Sequence, residues 1–145
     1  MTKFLSEAEE SYKSGNYIEA LKLYQKIWDE NDEIISSDNK TVNRIYIKQQ
    51  IGNCYMMLEQ YDKAIESFNE MILIDKTYAV SYANIALSLL RQGKTMDAMQ
   101  YLIRIEQANI DFPEWGKKML KEVNMEVDAK LIFEPSIFNN FLKDE

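Results

Sequence analysis

With 145 residues, no histidine, one cysteine and a formal net charge of −7, the chain lacks the commonest general base and zinc ligand and cannot close an internal disulfide. Its acidic balance opposes phosphate backbones and anionic headgroups, which weighs against nucleic acid and membrane surfaces as partners. Four glycines and two prolines leave few helix breakers in a chain of ordinary single-domain length, so a soluble, all-α protein is expected.

Along the chain, Ala8, Gly15-Asn16-Tyr17, Ala20 and Tyr24 form a first unit, in which Glu7 occupies a position that is usually apolar and predicts an exposed, fraying first helix. Ile27/Trp28 and Ile34/Ile35 recur at a seven-residue interval and extend the second helix by one or two turns. Ser36-Ser37-Asp38-Asn39 then supplies a turn and a cap, and Val42, Ile45 and Tyr46 begin the third helix early. The central unit is Ile51-Gly52, Tyr55, Tyr61, Ala64 and Phe68, and its skeleton returns 34 residues later, with Ala86, Leu89, Gly93, Ala98 and Leu102 in the places of, or close to, Gly52, Tyr55, Tyr61, Ala64 and Phe68. Ala20 to Ala64 spans 44 residues and Ala64 to Ala98 spans 34, so ten residues are added at the first junction.

Self-similarity at a fixed period means that each copy is a supersecondary unit unable to bury its apolar face alone, so neighbours stack into a continuous core. Gly52 or Ala86 on one helix, and Ala20, Ala64 or Ala98 on its partner, let the two helices of a hairpin approach closely. Tyr24, Phe68 and Leu102 fill the space between units. The spacing of Ile51-Gly52, Tyr55, Ala64 and Phe68 resembles the tetratricopeptide repeat family. That resemblance implies a right-handed α-solenoid of helix-turn-helix hairpins over about 1–35, 41–75 and 78–108, with extended helices at the first junction.

Asp111-Phe112-Pro113-Glu114 reads as a helix start, with Asp111 as cap and Glu114 reaching back. Phe112, Trp115, Met119, Val123 and Val127 form one apolar stripe on a capping helix over 111–130, with Trp115 as its buried anchor. The remainder, 131–145, is an apolar tail in which Pro135 opens a possible short helix carrying Ile137, Phe138, Phe141 and Leu142 on one side. Two fates follow for it, packing on its own molecule or filling a groove of its own or a neighbouring chain, the latter giving self-association.

The resemblance implies that the first helix of each hairpin lines a concave peptide groove. Its lining here comprises Leu5, Glu9 and Tyr12, then Tyr46, Gln49, Gln50, Asn53 and Met57, then Val80, Asn84, Leu87 and Arg91. The side-chain amides offer donors and acceptors to a peptide main chain, and the apolar members take its side chains. The long helices at the first junction look like those of cochaperone members that clamp a terminal carboxylate with lysine, asparagine and arginine. The matching positions here are Leu5, Glu9, Gln50, Val80 and Asn84, so no cation faces a carboxylate and Glu9 repels one. Leu89-Leu90-Arg91-Gln92-Gly93 through Pro113-Glu114-Trp115 looks similar to the small acidic chaperones of type III secretion, of class II type.

No nucleotide loop and no nucleophile turn is present, and Cys54 sits where a small buried residue is wanted. The expectation is a non-enzymatic, cytoplasmic protein-binding module of adaptor or cochaperone type, without metal or cofactor. A type III secretion chaperone, or an assembly subunit that binds through its convex face or tail, is the alternative. No basic-then-apolar leader is seen, and the run Met71-Ile72-Leu73-Ile74 is far short of a membrane span.

Overall fold

The computed structural model describes residues 2–30 and 40–134, and among these it contains seven helices and no strand. They are α1 (Thr2–Lys13), α2 (Tyr17–Glu30), α3 (Lys40–Met57), α4 (Tyr61–Ile74), α5 (Ala79–Arg91), α6 (Thr95–Gln107) and α7 (Glu114–Phe133). The chain is all-α and built as a helical repeat. The extension of the second helix through Ile34/Ile35, the turn at Ser36–Asn39 and the tail from Pro135 onward lie outside the described residues. The early start of the third helix is seen directly, since α3 begins at Lys40, five residues ahead of Ile45.

Three tight turns close the helix pairs α1–α2, α3–α4 and α5–α6 in the same way. In each, the residue two past the last helical one has a positive φ: Gly15 at 81°, Glu59 at 59° and Gly93 at 79°. Two backbone bonds close each turn, with Gly15, Glu59 and Gly93 donating to Tyr12, Met56 and Leu90, and Asn16, Gln60 and Lys94 donating to Ser11, Tyr55 and Leu89. This pair of bonds satisfies carbonyls that the helix end would leave orphaned, and the left-handed residue it requires is the reason for glycine at two of the three sites. Asn16 adds a side-chain cap, its Oδ1 accepting from the Glu19 amide at 3.4 Å.

Two compact units result, residues Met1–Asp75 and Lys76–Glu145. In the first, α1 packs on α2, α2 on α3 and α3 on α4. Ala8, Ala20, Tyr24, Ile27, Ile47, Ile51 and Cys54 make its core. Gly52 is a point of closest approach, because a Cβ placed there would lie 2.6 Å from the ring of fully buried Phe68. Ala20 and Ala64 are fully buried.

In the second unit α5 packs on α6, and α7 packs on both. Ala86 and Ala98 are fully buried there, Leu102 is nearly so, and Tyr82 meets Phe112 edge to face at 5.3 Å. α7 departs from the sequence reading in three respects. It starts at Glu114 with Pro113 in the capping position, and no side chain caps it, so the Asp111 cap is not formed. It runs to Phe133, taking in Leu131–Phe133 from the segment read as tail. Its buried arc is Gly116, Leu120, Val123, Val127 and Leu131, and Trp115 is 49% exposed. The cause of the rotation is Gly116, where an added Cβ would come within 2.7 Å of the Ala79 Cβ. Two small residues let α7 and α5 touch there, which turns the adjacent Trp115 to the rim against Tyr78, at 5.9 Å.

Candidate functional site

The groove residues predicted for the first unit sit on α1 and α3, where they join in a hydrogen-bonded series. Tyr46 Oη donates to Glu9 Oε1 at 2.9 Å, tying α3 to α1 across 37 residues of sequence. Gln50 Nε2 donates to Tyr24 Oη at 3.3 Å, and Asn53 Nδ2 donates to Gln50 Oε1 at 3.0 Å. Helical spacing explains the arrangement, since Tyr46, Gln50, Asn53 and Met57 recur at intervals of three and four and so share one face of α3.

Burial raises the Tyr46 phenol above its ordinary value, and its bond to Glu9 raises it further. Tyr46 therefore stays protonated and keeps donating at neutral pH. Burial likewise raises Tyr24 and Tyr12, the Gln50 bond opposing the effect at Tyr24. Tyr46 is 37% exposed and Met57 49%, which leaves an aromatic edge and a thioether open beside the polar series. Gln49 is half-buried. Leu5 and Tyr12 belong to the packing, since both lie against the core of the unit, and Tyr12 meets Tyr17 edge to face at 5.2 Å.

The other four predicted residues, Val80, Asn84, Leu87 and Arg91, lie on α5 in the second unit. Val80, Asn84 and Leu87 are half-buried and Arg91 is exposed. Elsewhere on α5, Ala79, Ser81, Tyr82, Ala83, Ile85, Ala86 and Ser88 are buried.

Two features escaped the sequence reading. In the first unit Lys48 is buried, its ammonium 2.6 Å from Glu70 and 4.0 Å from the centre of the Trp28 ring, with the Arg44 guanidinium 3.8 Å from that ring's centre. Trp28, Lys48 and Glu70 border a polar cleft of about 350 Å³ between α2, α3 and α4. The second unit holds a cavity of about 400 Å³ between α6 and α7, floored by Leu102, Ile105, Phe112 and Leu120 and edged by Asn109 and Lys121. Trp28 at an exposed-looking position beside acidic residues was the available signal for the first. No sequence signal marks the second, because it arises from the rotation of α7. Cys54 is buried and its thiol is pushed up to about 12, so it is a core residue and a poor nucleophile. No group of metal-ligating side chains occurs among the described residues, and no described helix is long and apolar enough to cross a membrane.

Comparison with known proteins gives a family match and a likeness to solved structures. The model of the Paf67 family, described as RNA polymerase I-associated factor PAF67, matches residues 11–130. Among solved structures, the chain resembles the Yersinia enterocolitica type III secretion translocator chaperone SycD, crystallised as an alternative dimer. The TM-score is 0.64 at 21% identity, over 89% of this chain and 92% of that one. At that identity the likeness bears on the fold, which in SycD is an all-helical repeat. No curated protein matches.

Proposed function

The chain belongs to the family of RNA polymerase I-associated factor PAF67, and from that premise we propose that it is a non-catalytic module that holds a segment of a partner protein. The observation that carries this reading is the series Glu9–Tyr46 and Tyr24–Gln50–Asn53, which fixes the α1 and α3 side chains of the first unit. A face whose amides are held in place before a partner arrives loses less entropy on binding than one that must order its side chains. Tyr46 and Met57 supply apolar contact beside it, and Val80, Asn84, Leu87 and Arg91 on α5 supply the same mixture in the second unit.

The partner is a protein rather than a nucleic acid, given the net charge of −7 and a Glu9 carboxylate on the binding face. A subunit of a polymerase assembly is the partner that the family's description favours. The absence of histidine supports a role without catalysis, metal or cofactor. The recurring small residues at Gly52, Ala64, Ala86 and Ala98 support the tetratricopeptide reading of the hairpins, and with it a cytoplasmic peptide-binding use. A second reading, a chaperone that shields a secreted or assembling substrate, is favoured by the likeness to SycD over nearly the whole of both chains. It uses the same face and differs in the partner.

Site-directed photocrosslinking tests the reading. A benzoylphenylalanine at Gln49 or Met57 is expected to capture a protein, and one at Ile18 or Lys22 on the exposed side of α2 is not. Mass spectrometry of the adduct separates polymerase subunit from secreted substrate. Capture from α2 alone, or binding that survives Asn53→Trp together with Met57→Glu, refutes the α1/α3 face.

A further inference from the structure

The cavity between α6 and α7 follows from how α7 is anchored. Gly116 lies so close to Ala79 that an added Cβ would come within 2.7 Å of it, which draws the first half of α7 onto α5. α6 ends at Gln107, and Asn109 turns the chain away from it at a positive φ of 53°. Ile110 and Phe112 lie in the connection that follows, with Phe112 held edge to face against Tyr82 at 5.3 Å. What remains between α6 and α7 is a space of about 400 Å³, inside the range of about 300–1,000 Å³ that small-molecule pockets occupy.

Its chemistry is divided between floor and rim. Leu102, Ile105, Ile110, Phe112 and Leu120 line it with apolar surface. Water over such a lining finds few hydrogen-bond partners, so an apolar body that displaces it is favoured. The rim carries two lysines, Lys117 and Lys121, against one carboxylate, Glu106, and all three are exposed. Lys121 and Glu106 make no ion pair among the described residues. Lys117 has an exposed contact with Glu114 at 3.2 Å, three residues away on the same helix, of a kind that contributes little. The rim therefore carries an excess of one positive charge, and Asn109 beside it adds a side-chain amide able to donate.

We propose that this cavity binds a small amphipathic monocarboxylate, its apolar body on Leu102, Ile105, Phe112 and Leu120 and its head between Lys117 and Lys121. Size sets the body. At roughly 30 Å³ for each water-sized group, 400 Å³ takes about a dozen of them, which is the carbon and oxygen count of decanoate. Charge sets the head, because a monoanion balances the rim, a dianion overfills it beside Glu106, and a cation meets two lysines. No residue of the α1/α3 face takes part, so the site stands whether or not that face holds a protein segment.

Isothermal titration calorimetry of the full chain with decanoate at neutral pH tests the proposal, with decylammonium as the probe of opposite charge. The expected result is one saturable site for decanoate with a Kd below about 1 mM, and binding of decylammonium about tenfold weaker or worse. K117E/K121E should weaken decanoate about tenfold or more and reverse the preference, with circular dichroism unchanged because both positions are exposed. K13E/K22E, at exposed positions in the first unit, should change nothing. Ile105→Trp, which fills the space, should abolish binding of both probes. The absence of a saturable site, decylammonium bound as tightly as decanoate, or a charge-reversed rim that keeps its affinity would overturn the proposal. So would an equal loss in K13E/K22E, which would make the binding a matter of net charge alone. Decanoate binding that appears only once residues 135–145 are removed would overturn it too, since that result gives the cavity to the chain's own end.

Discussion

Replacing Gly52 by alanine tests the packing of the first unit most directly, because two opposed effects of known size meet at one atom. The new Cβ would lie 2.6 Å from Phe68 Cε1 and 2.7 Å from Cζ. Carbon atoms rest at about 3.5–4.0 Å, so the ring or the helices must give by about 1 Å. Phe68 is fully buried and cannot swing into solvent. Overpacking costs about 1–3 kcal/mol, and a contact this short against a ring that cannot move lies in the upper part of that range, about 2–3 kcal/mol, while alanine in place of glycine inside α3 returns about 1 kcal/mol of helix propensity. A net loss of about 1–2 kcal/mol follows from these two terms. Urea unfolding followed by Trp28 fluorescence, in a Trp115→Phe background, reads the first unit alone. With a slope of about 1 kcal/mol per molar urea, the midpoint should fall by about 1–2 M. In a Phe68→Leu background the ring edge is gone and only propensity remains, so Gly52→Ala should become neutral or stabilising, with a coupling of about 0.5–3 kcal/mol. A Gly52→Ala chain as stable as its parent, with Phe68 intact, would show that α3 and α4 do not meet there.

Cys54, with its thiol pushed up by burial from 9.0 to about 12, should resist thiol reagents at pH 8 until the chain unfolds. Because the folded pKa is the higher one, its contribution is fully present below pH 9.0 and is lost as pH rises towards about 12, so Cys54→Ala should flatten that alkaline fall in urea titrations. At the turns, Glu59→Gly should gain about 0.5–1 kcal/mol and Gly93→Ala should lose about 1–2 kcal/mol, both read by thermal melts, because each position holds a positive φ. Trp115→Ala should cost under about 2 kcal/mol by urea denaturation, below the roughly 3–5 kcal/mol of a fully buried tryptophan. Ala64→Leu, which forces a large side chain into a fully buried site, should cost about 1–3 kcal/mol in the same measurement.

The hairpins were legible because steric constraint acts through residues that have few substitutes. Gly52 marks a crossing where an added Cβ would strike Phe68, Ala64 and Ala98 are fully buried, and Gly15 and Gly93 mark turns that need a positive φ. Glu59 occupies the corresponding turn without any such signal, so only the spacing of its neighbours gives it away. The phase of α7 was misread for a related reason. Choosing Trp115 as anchor weighs residues by the apolar area they would bury. Gly116 makes the closest approach, against Ala79, and a close approach fixes the rotation of the whole helix before any large side chain finds its place. The rule that located Gly52 locates Gly116 too, but the stripe Phe112–Trp115–Met119 competes with it in sequence, and size decided wrongly between them.

The site was legible as a set of helix faces and not as a set of bonds. Periodicity puts Tyr46, Gln50, Asn53 and Met57 on one side of α3, yet nothing in their spacing pairs Tyr46 with Glu9 or Gln50 with Tyr24, because those partners belong to other helices. The pairing changes what the face can offer. Gln50 and Asn53 were expected to present free amides to a peptide, and in the fold they already bond to Tyr24 and to each other. An incoming main chain must therefore add to these bonds through the unused lone pairs and N–H groups, or exchange with them at little net gain. Most of the affinity must then come from the apolar area at Tyr46 and Met57, with the amides setting register. Under that division of labour, Met57→Ala should weaken partner capture more than Asn53→Ala does, by about 1 kcal/mol of binding free energy as measured by calorimetry on a crosslink-identified peptide. The opposite ranking would mean that the amides, and not the open apolar edge, carry the contact.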